Sequence, residues 1–167
     1  RDLTDAGLHA IQTSGKATRN ITADPLSGLT EGEIEDARPY CELIRRWFNL
    51  HPEFSWLPGK FKIAINGAKL DETALRIHDL GLRLVRNEKG ELGFSVFVGG
   101  GLGAAAMIAA ETASFVPVVD ILSYLESSLR IYNLKGRRDH QKKLRIKFLV
   151  RELGATEFSR LVDEDWQ

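Results

Sequence analysis

The sequence predicts an α+β domain: a mixed, largely antiparallel sheet of about five strands, flanked by helices. Three observations carry that expectation. Apolar residues alternate at the strand period over 60–66 and 92–98. A short polar link, Asn87-Glu88-Lys89-Gly90-Glu91, joins the run 75–86 to the run 92–98, which makes an antiparallel hairpin. Helical stripes over 36–50 and 118–133 offer cover for the sheet. The chain has 167 residues, the length of about one domain, so 1–167 reads as a single unit.

Taken in order, residues 1–31 are rich in Gly, Ser, Thr, Asn and Asp and read as loops with short extended pieces, Ile11-Gln12-Thr13-Ser14 and Arg19-Asn20-Ile21-Thr22. Asp24-Pro25-Leu26-Ser27-Gly28 is a turn cluster. The helix expected over 36–50 has Asp36 as its cap, Pro39 in its first turn and a buried stripe of Cys41, Ile44, Trp47 and Phe48; Pro52 stops it. A strand at 60–66 ends on the turn signal Asn66-Gly67. Strands at 75–86 and 92–98 form the hairpin, with Phe94, Val96 and Val98 on one face. After the run Gly99-Gly100-Gly101-Leu102-Gly103, an Ala-rich helix is expected from about Ala104. The helix at 118–133 carries Val118, Leu122, Leu125, Leu129 and Tyr132 on one stripe. Further helices are expected over 139–153, with Leu144, Phe148 and Leu149, and over 156–163.

Composition narrows the function. Acidic and basic residues balance at 23 each, so there is no global basic field to gather nucleic acid, and any anion site must be local. One cysteine, Cys41, permits no intrachain disulfide and suits a reducing, cytoplasmic compartment. A single thiolate also cannot hold an iron–sulfur cluster. The four histidines show no metal-ligand spacing. No apolar run approaches about 18 residues, so no membrane span is expected. No signal peptide is visible. The chain starts at Arg1 and reads as a piece of something longer.

Four motifs bear on chemistry. Strand alternation places Lys60 and Lys62 side by side, opposite Phe61, Ile63 and Ile65. Two adjacent ammonium groups repel unless an anion lies between them; taken alone, a solvated strand edge is the commoner outcome. Gly99 to Ala104, with Asp120 further on, has the outline of a dinucleotide fingerprint. Its strand belongs to an antiparallel hairpin, however, and Asp120 opens a helix. The glycines fit better as a place where backbone approaches a flat ligand, with the next helix presenting N–H groups to carboxylates. His78-Asp79 is half of a hydrolytic triad on paper, yet no G-x-S-x-G elbow accompanies it, and a structural histidine is the simpler reading. The basic run Arg137, Arg138, His140, Lys142, Lys143, Arg145, Lys147 and Arg151 reads as a solvated face.

In order along the chain, Thr13-Ser14-Gly15, Arg19-Asn20-Ile21-Thr22-Ala23, His51-Pro52-Glu53-Phe54, Leu57-Pro58-Gly59-Lys60-Phe61-Lys62, His78-Asp79, Val98-Gly99-Gly100-Gly101, and Tyr132-Asn133 with Gly136-Arg137-Arg138 resemble the siroheme-dependent nitrite and sulfite reductases. That resemblance implies an enzyme carrying siroheme joined through a cysteine to a 4Fe-4S cluster, which delivers six electrons to sulfite or nitrite. It implies catalytic roles for Arg19, Lys60 and Lys62, lining the distal face of the siroheme, binding the anion and supplying protons. It also implies cofactor contacts from Arg19, Asn20, Lys60, Lys62, Gly99, Gly100 and Gly101. Guanidinium and ammonium groups suit an oxyanion, and a lysine can also give up a proton.

Three departures accompany the resemblance. Gly59 stands where the family usually has a basic residue, and Ala104-Ala105-Ala106 where relatives often have polar residues or Pro. The family's cluster cysteines are absent, as is an N-terminal half-domain. The expectation is therefore the first of two related catalytic-core domains, binding neither cofactor stably and inactive by itself, with the remaining domains and an electron donor, ferredoxin or a flavoprotein, as partners. The alternative from another class is a non-catalytic anion- or nucleotide-binding or scaffold module using the Gly99–Ala104 turn.

Overall fold

The computed structural model describes residues 2–6, 14–49, 51–71 and 73–167. A short helix α1 (Asp2–Asp5) precedes strand β1 (Thr18–Ala23). The expected piece at 11–14 falls largely outside the described residues. Helix α2 spans Arg38–Phe48 with Pro39 in its first turn, where a missing N–H costs nothing. Asp36 does not occupy the cap position, but its carboxylate accepts the Arg38 N–H at 2.9 Å. Ile44 and Phe48 are buried, whereas Trp47 is exposed and lies against His51; the helical stripe is narrower than its apolar spacing suggested.

Five strands form one sheet in the order β1-β2-β3-β4-β5, with β2 at Phe61–Asn66, β3 at Leu80–Arg86, β4 at Leu92–Val98 and β5 at Ala110–Pro117. The sheet is mixed: β1-β2 and β2-β3 are parallel, β3-β4 and β4-β5 antiparallel. The hairpin joins β3 and β4 with Leu80, Leu82 and Leu84 opposite Val98, Val96 and Phe94. These residues share the core with Ile63 and Ile65 and with helix residues such as Ile44, Tyr124 and Leu129. Burying each such side chain contributes roughly 1.5–3 kcal/mol.

Three expectations need correction. Residues 75–86 are not one strand; Leu75–Ile77 form a single 3-10 turn, a bend follows, and β3 begins at Leu80. No helix starts at Ala104. The stretch 102–109 is turn and bridge, and it leads into strand β5. Alanine favours a helix in isolation, but Gly103 at φ 100° and pairing of β5 with β4 override that propensity. The expected helix at 139–153 is a 3-10 turn, Gln141–Lys143, followed by α4 at Ile146–Leu153. Helix α3 (Ile121–Lys135) follows a 3-10 turn at Val118–Asp120, and α5 (Ala155–Trp166) is longer than its stripe implied.

Candidate functional site

Strand β1 carries a bulge where the sequence has Arg19-Asn20. Thr18 pairs with Phe61 and Ile21 with Ile63, so three residue steps of β1 face two of β2. A bulge bends its strand and re-aims a side chain. Arg19 thereby lines a cleft of about 710 Å³ together with Lys60, Leu102, Ala105, Lys143 and Arg145. A smaller adjoining chamber of about 310 Å³ is lined by Lys60, Lys62, His78, Leu102 and Arg145. Lys60 and Arg145 belong to both. Segments scattered from 15 to 148 thus converge on one cationic hollow.

Asp79 organises it. The residue has no exposed surface. One carboxylate oxygen accepts the backbone N–H of Lys62 at 3.0 Å, the other the Arg145 guanidinium at 2.9 Å. Its backbone carbonyl accepts the Gly99 N–H at 3.0 Å. Burial pushes the Asp79 carboxyl above the usual carboxylate range, against the downward pull of Arg145. A single buried residue, through its carboxylate and its backbone carbonyl, therefore fixes where Lys62, Arg145 and the glycine loop sit relative to one another.

Lys147 fixes the opposite wall. Its ammonium is buried and donates to the carbonyls of Gly101 at 3.4 Å, Leu102 at 3.0 Å and Ala105 at 2.6 Å. An ammonium has three donors, so this one is saturated and belongs to the framework of the wall. Burial, then the neighbouring Arg145 charge, lowers its pKa.

The glycines stand behind this wall. Gly100 packs so closely against the Arg76 and His78 carbonyls that a Cβ would collide with both. Gly99 lines a separate hollow beside Val150 and Lys147. Leu102, Ala104 and Ala105 form the surface that faces the cleft. Asn20 is exposed on β1 and is not among the cleft-lining residues. At Gly59, a Cβ would lie 3.1 Å from Leu144 Cβ and 3.2 Å from the Tyr132 hydroxyl, which itself donates to the Leu144 carbonyl at 2.8 Å. Glycine there lets the 140–145 segment close over Lys60.

That segment is where sequence reasoning fell short. Within the basic run Arg137, Arg138, His140, Lys142 and Lys143 are exposed, but Arg145 is half-buried and Lys147 fully so. Spacing does not separate them; the apolar residues Ile146, Leu149 and Val150 that surround them were the available signal.

Residues 14–167 match the family model of the nitrite and sulphite reductase 4Fe-4S domain. The chain belongs to that family. It is similar to the sulfite reductase [ferredoxin] 1 of Mycolicibacterium paratuberculosis, 30% identical over 99% of this chain and 30% of that protein. It is similar also to the ferredoxin–nitrite reductase of Leptolyngbya laminosa, 31% identical over 98% of this chain and 33% of that protein. Among solved structures, the Mycobacterium tuberculosis NirA protein superposes with a TM-score of 0.90 at 29% identity, over 98% of this chain and 30% of that one. The chain therefore spans about a third of the length of the curated relatives it matches. The family's α+β fold is the one described above, and no helix here, among the described residues, is long and apolar enough to cross a membrane.

Proposed function

We propose that this nitrite and sulphite reductase domain supplies the anion-binding and siroheme-contacting surface of a sulfite or nitrite reductase. The observation that carries the reading is the convergence of Arg19, Lys60, Lys62 and Arg145 on the two joined hollows. Siroheme is rich in carboxylates, and the donor set fits it: guanidinium and ammonium groups line the cleft, and the buried Arg19 Nε has no partner among the described residues. A 4Fe-4S cluster does not fit this chain. Cys41 is the one cysteine, sits on α2 away from the cleft, and has its thiol pushed up to about 11 by burial. Cluster ligands in the reductase would come from other parts of the protein.

Bound, siroheme with its cluster would supply the electrons that take sulfite to sulfide or nitrite to ammonia. Arg19 and Lys60 hold the carboxylate-rich edge. Lys60 and Lys62 Nζ hold the small oxyanion and hand over protons as its oxygens depart as water. Asp79 keeps the Lys62 backbone in place through its N–H. Lys147 holds the Leu102–Ala105 wall that narrows access for bulk water. The electron donor, ferredoxin or a flavoprotein, and the remaining domains would complete the machine in the cytoplasm, a compartment that the single cysteine suits.

Lys60→Met and Lys62→Met in the full-length reductase test this. The expected result is turnover reduced by about 100-fold or more for each, in the range for loss of one preorganised charge contact. Unaltered turnover overturns the proposed roles. The 167-residue chain is expected to purify without a siroheme absorption band, and appearance of one would reverse that expectation. The rival nucleotide module loses its structural basis, because a β-strand follows the glycine run where the fingerprint needs a helix.

A further inference from the structure

The main core lies on one face of the sheet, where residues such as Ile63, Leu82 and Val96 meet the helices. Strand alternation sends Ala64, Gly81, Arg83, Ser95 and Phe97 to the other face. Phe97 is only 6% exposed, yet it stands outside that core. What covers its ring is charge. The guanidinium carbon of Arg83 lies 5.4 Å from the ring centroid and that of Arg76 6.0 Å, both within reach of a cation–π contact. The ends of this face are closed. Leu75 of the 3-10 turn packs over Gly81, where a Cβ would stand 2.9 Å from the Leu75 carbonyl oxygen. At the far end the Phe115 ring lies over Gly93.

The two arginines are short of partners. Every ion pair among the described residues involves other cations. Glu111 stands across from Phe97 on β5, but its carboxylate accepts the Ser95 hydroxyl at 3.0 Å. Arg76 is exposed, and its Nε donates to the Ala109 carbonyl at 3.0 Å. Arg83 is half-buried, and its Nε is buried with no acceptor among the described residues, which is a standing cost. A guanidinium laid over a ring still presents its outer N–H groups in the fork that grips a carboxylate.

We propose that this face is a docking surface for an acidic segment of the reductase polypeptide outside these 167 residues, whose carboxylates meet Arg76 and Arg83 beside Phe97. There is chain to fill it, since this one spans about a third of the length of its relatives. The occupant is acidic because the groups without partners are both cations, and arginine with an aromatic ring is the composition of interface anchors. It is a stretch of chain and not a small ion because a sheet face is flat, whereas small ligands are held in concave sites. Neither Arg83 nor Phe97 lines the two hollows of the site. Lys62 shares this side of β2 with Ala64 and Asn66, and Asn66 pairs with Arg83. The docked segment therefore borders the smaller hollow, and the proposal stands whatever that hollow binds.

Arginine labelling with phenylglyoxal, read residue by residue by mass spectrometry, compares the 167-residue chain with the full-length reductase. Arg76 and Arg83 are expected to label in the chain and to lose that labelling in the reductase. Equal labelling in both proteins overturns the docking. Arg83→Lys then places an ammonium that a carbodiimide can join to a touching carboxylate. In the full-length reductase the expected cross-link runs from position 83 to an Asp or Glu outside the 167 residues. Arg76→Lys serves the same purpose if the first variant does not yield folded protein. A cross-link only to carboxylates within the 167 residues, as from Glu111 or a second copy, overturns the assignment of the occupant. Loss of labelling with no cross-link from either variant overturns its acidic character. Turnover is not read in any of these measurements, so failure of the roles given to Lys60 and Lys62 leaves their outcome unchanged.

Discussion

Arg145 reaches back along the chain to hold Asp79 at 2.9 Å, and Asp79 has no surface left for water. Half of the pair is thus wholly dependent on the other. Removing Arg145 strands a buried carboxylate whose other oxygen still serves the Lys62 N–H. Arg145→Met is expected to lower unfolding free energy by about 3–5 kcal/mol, the usual cost of breaking a buried pair from one side. Asp79→Asn combined with Arg145→Met is expected to lose less than the sum of the single losses, by about 1 kcal/mol or more. Urea denaturation of the four proteins in the cycle measures both. Strict additivity would show that the pair contributes nothing as a unit.

Lys147 gives a prediction about motion as well as stability. Lys147→Met keeps the aliphatic stem but removes three charge-assisted hydrogen bonds to the 101–105 loop. Each orphaned carbonyl that cannot reach water costs about 1 kcal/mol or more. Amide hydrogen exchange is expected to accelerate at Gly101 and Met107, which pair with each other through two bonds of 2.9 Å, while β3 and β4 keep their protection. Uniform acceleration across the sheet would mean that Lys147 supports the whole fold and not the wall.

Alkaline pH should unfold the chain through its buried tyrosines. Burial pushes the Tyr124 hydroxyl from the ordinary 10.0 up to about 12. Burial, and then the Asp79 charge, raises Tyr132 as well. Both native pKa values are raised, so the native state retains protons that the unfolded chain releases. The stability these groups contribute is complete below pH 10 and is lost as pH climbs from there through about 12. The slope is at most about 1.4 kcal/mol per pH unit for each group. Denaturation midpoints at about pH 9 and about pH 11 check the sign, and tyrosinate absorbance should rise together with unfolding. Tyrosinate forming in the still-folded chain near pH 10 would contradict it.

Much of the architecture was legible because it follows from local periodicity. The hairpin of β3 and β4 was readable from alternation plus a short polar link, and α3 from its stripe of Leu125, Leu129 and Tyr132. Strand β5 was not. Ala110, Thr112 and Ala113 are small and only partly buried, so they carry neither an alternation nor a helical face, and the pairing with β4 decides their conformation. Among the site residues, Lys60 and Lys62 announced themselves by sharing a strand face. Arg145 and Lys147 did not, since burial of a charged side chain depends on a distant acceptor: Asp79 for one, a loop of carbonyls for the other. Local spacing holds no record of such partners.

The bulge at Arg19-Asn20 has a consequence for how this surface can change. Because the strand alternates, the side on which a cation emerges is a matter of counting residues, not of which residues are present. Deleting Asn20 would restore an unbroken ladder to β2 while leaving the charge inventory untouched, yet it would shift every upstream side chain to the opposite side. Arg19 would turn away from Lys60. A lineage or a protein engineer could thus silence the hollow by indel alone, and a survey that scores only whether an arginine is conserved would miss it.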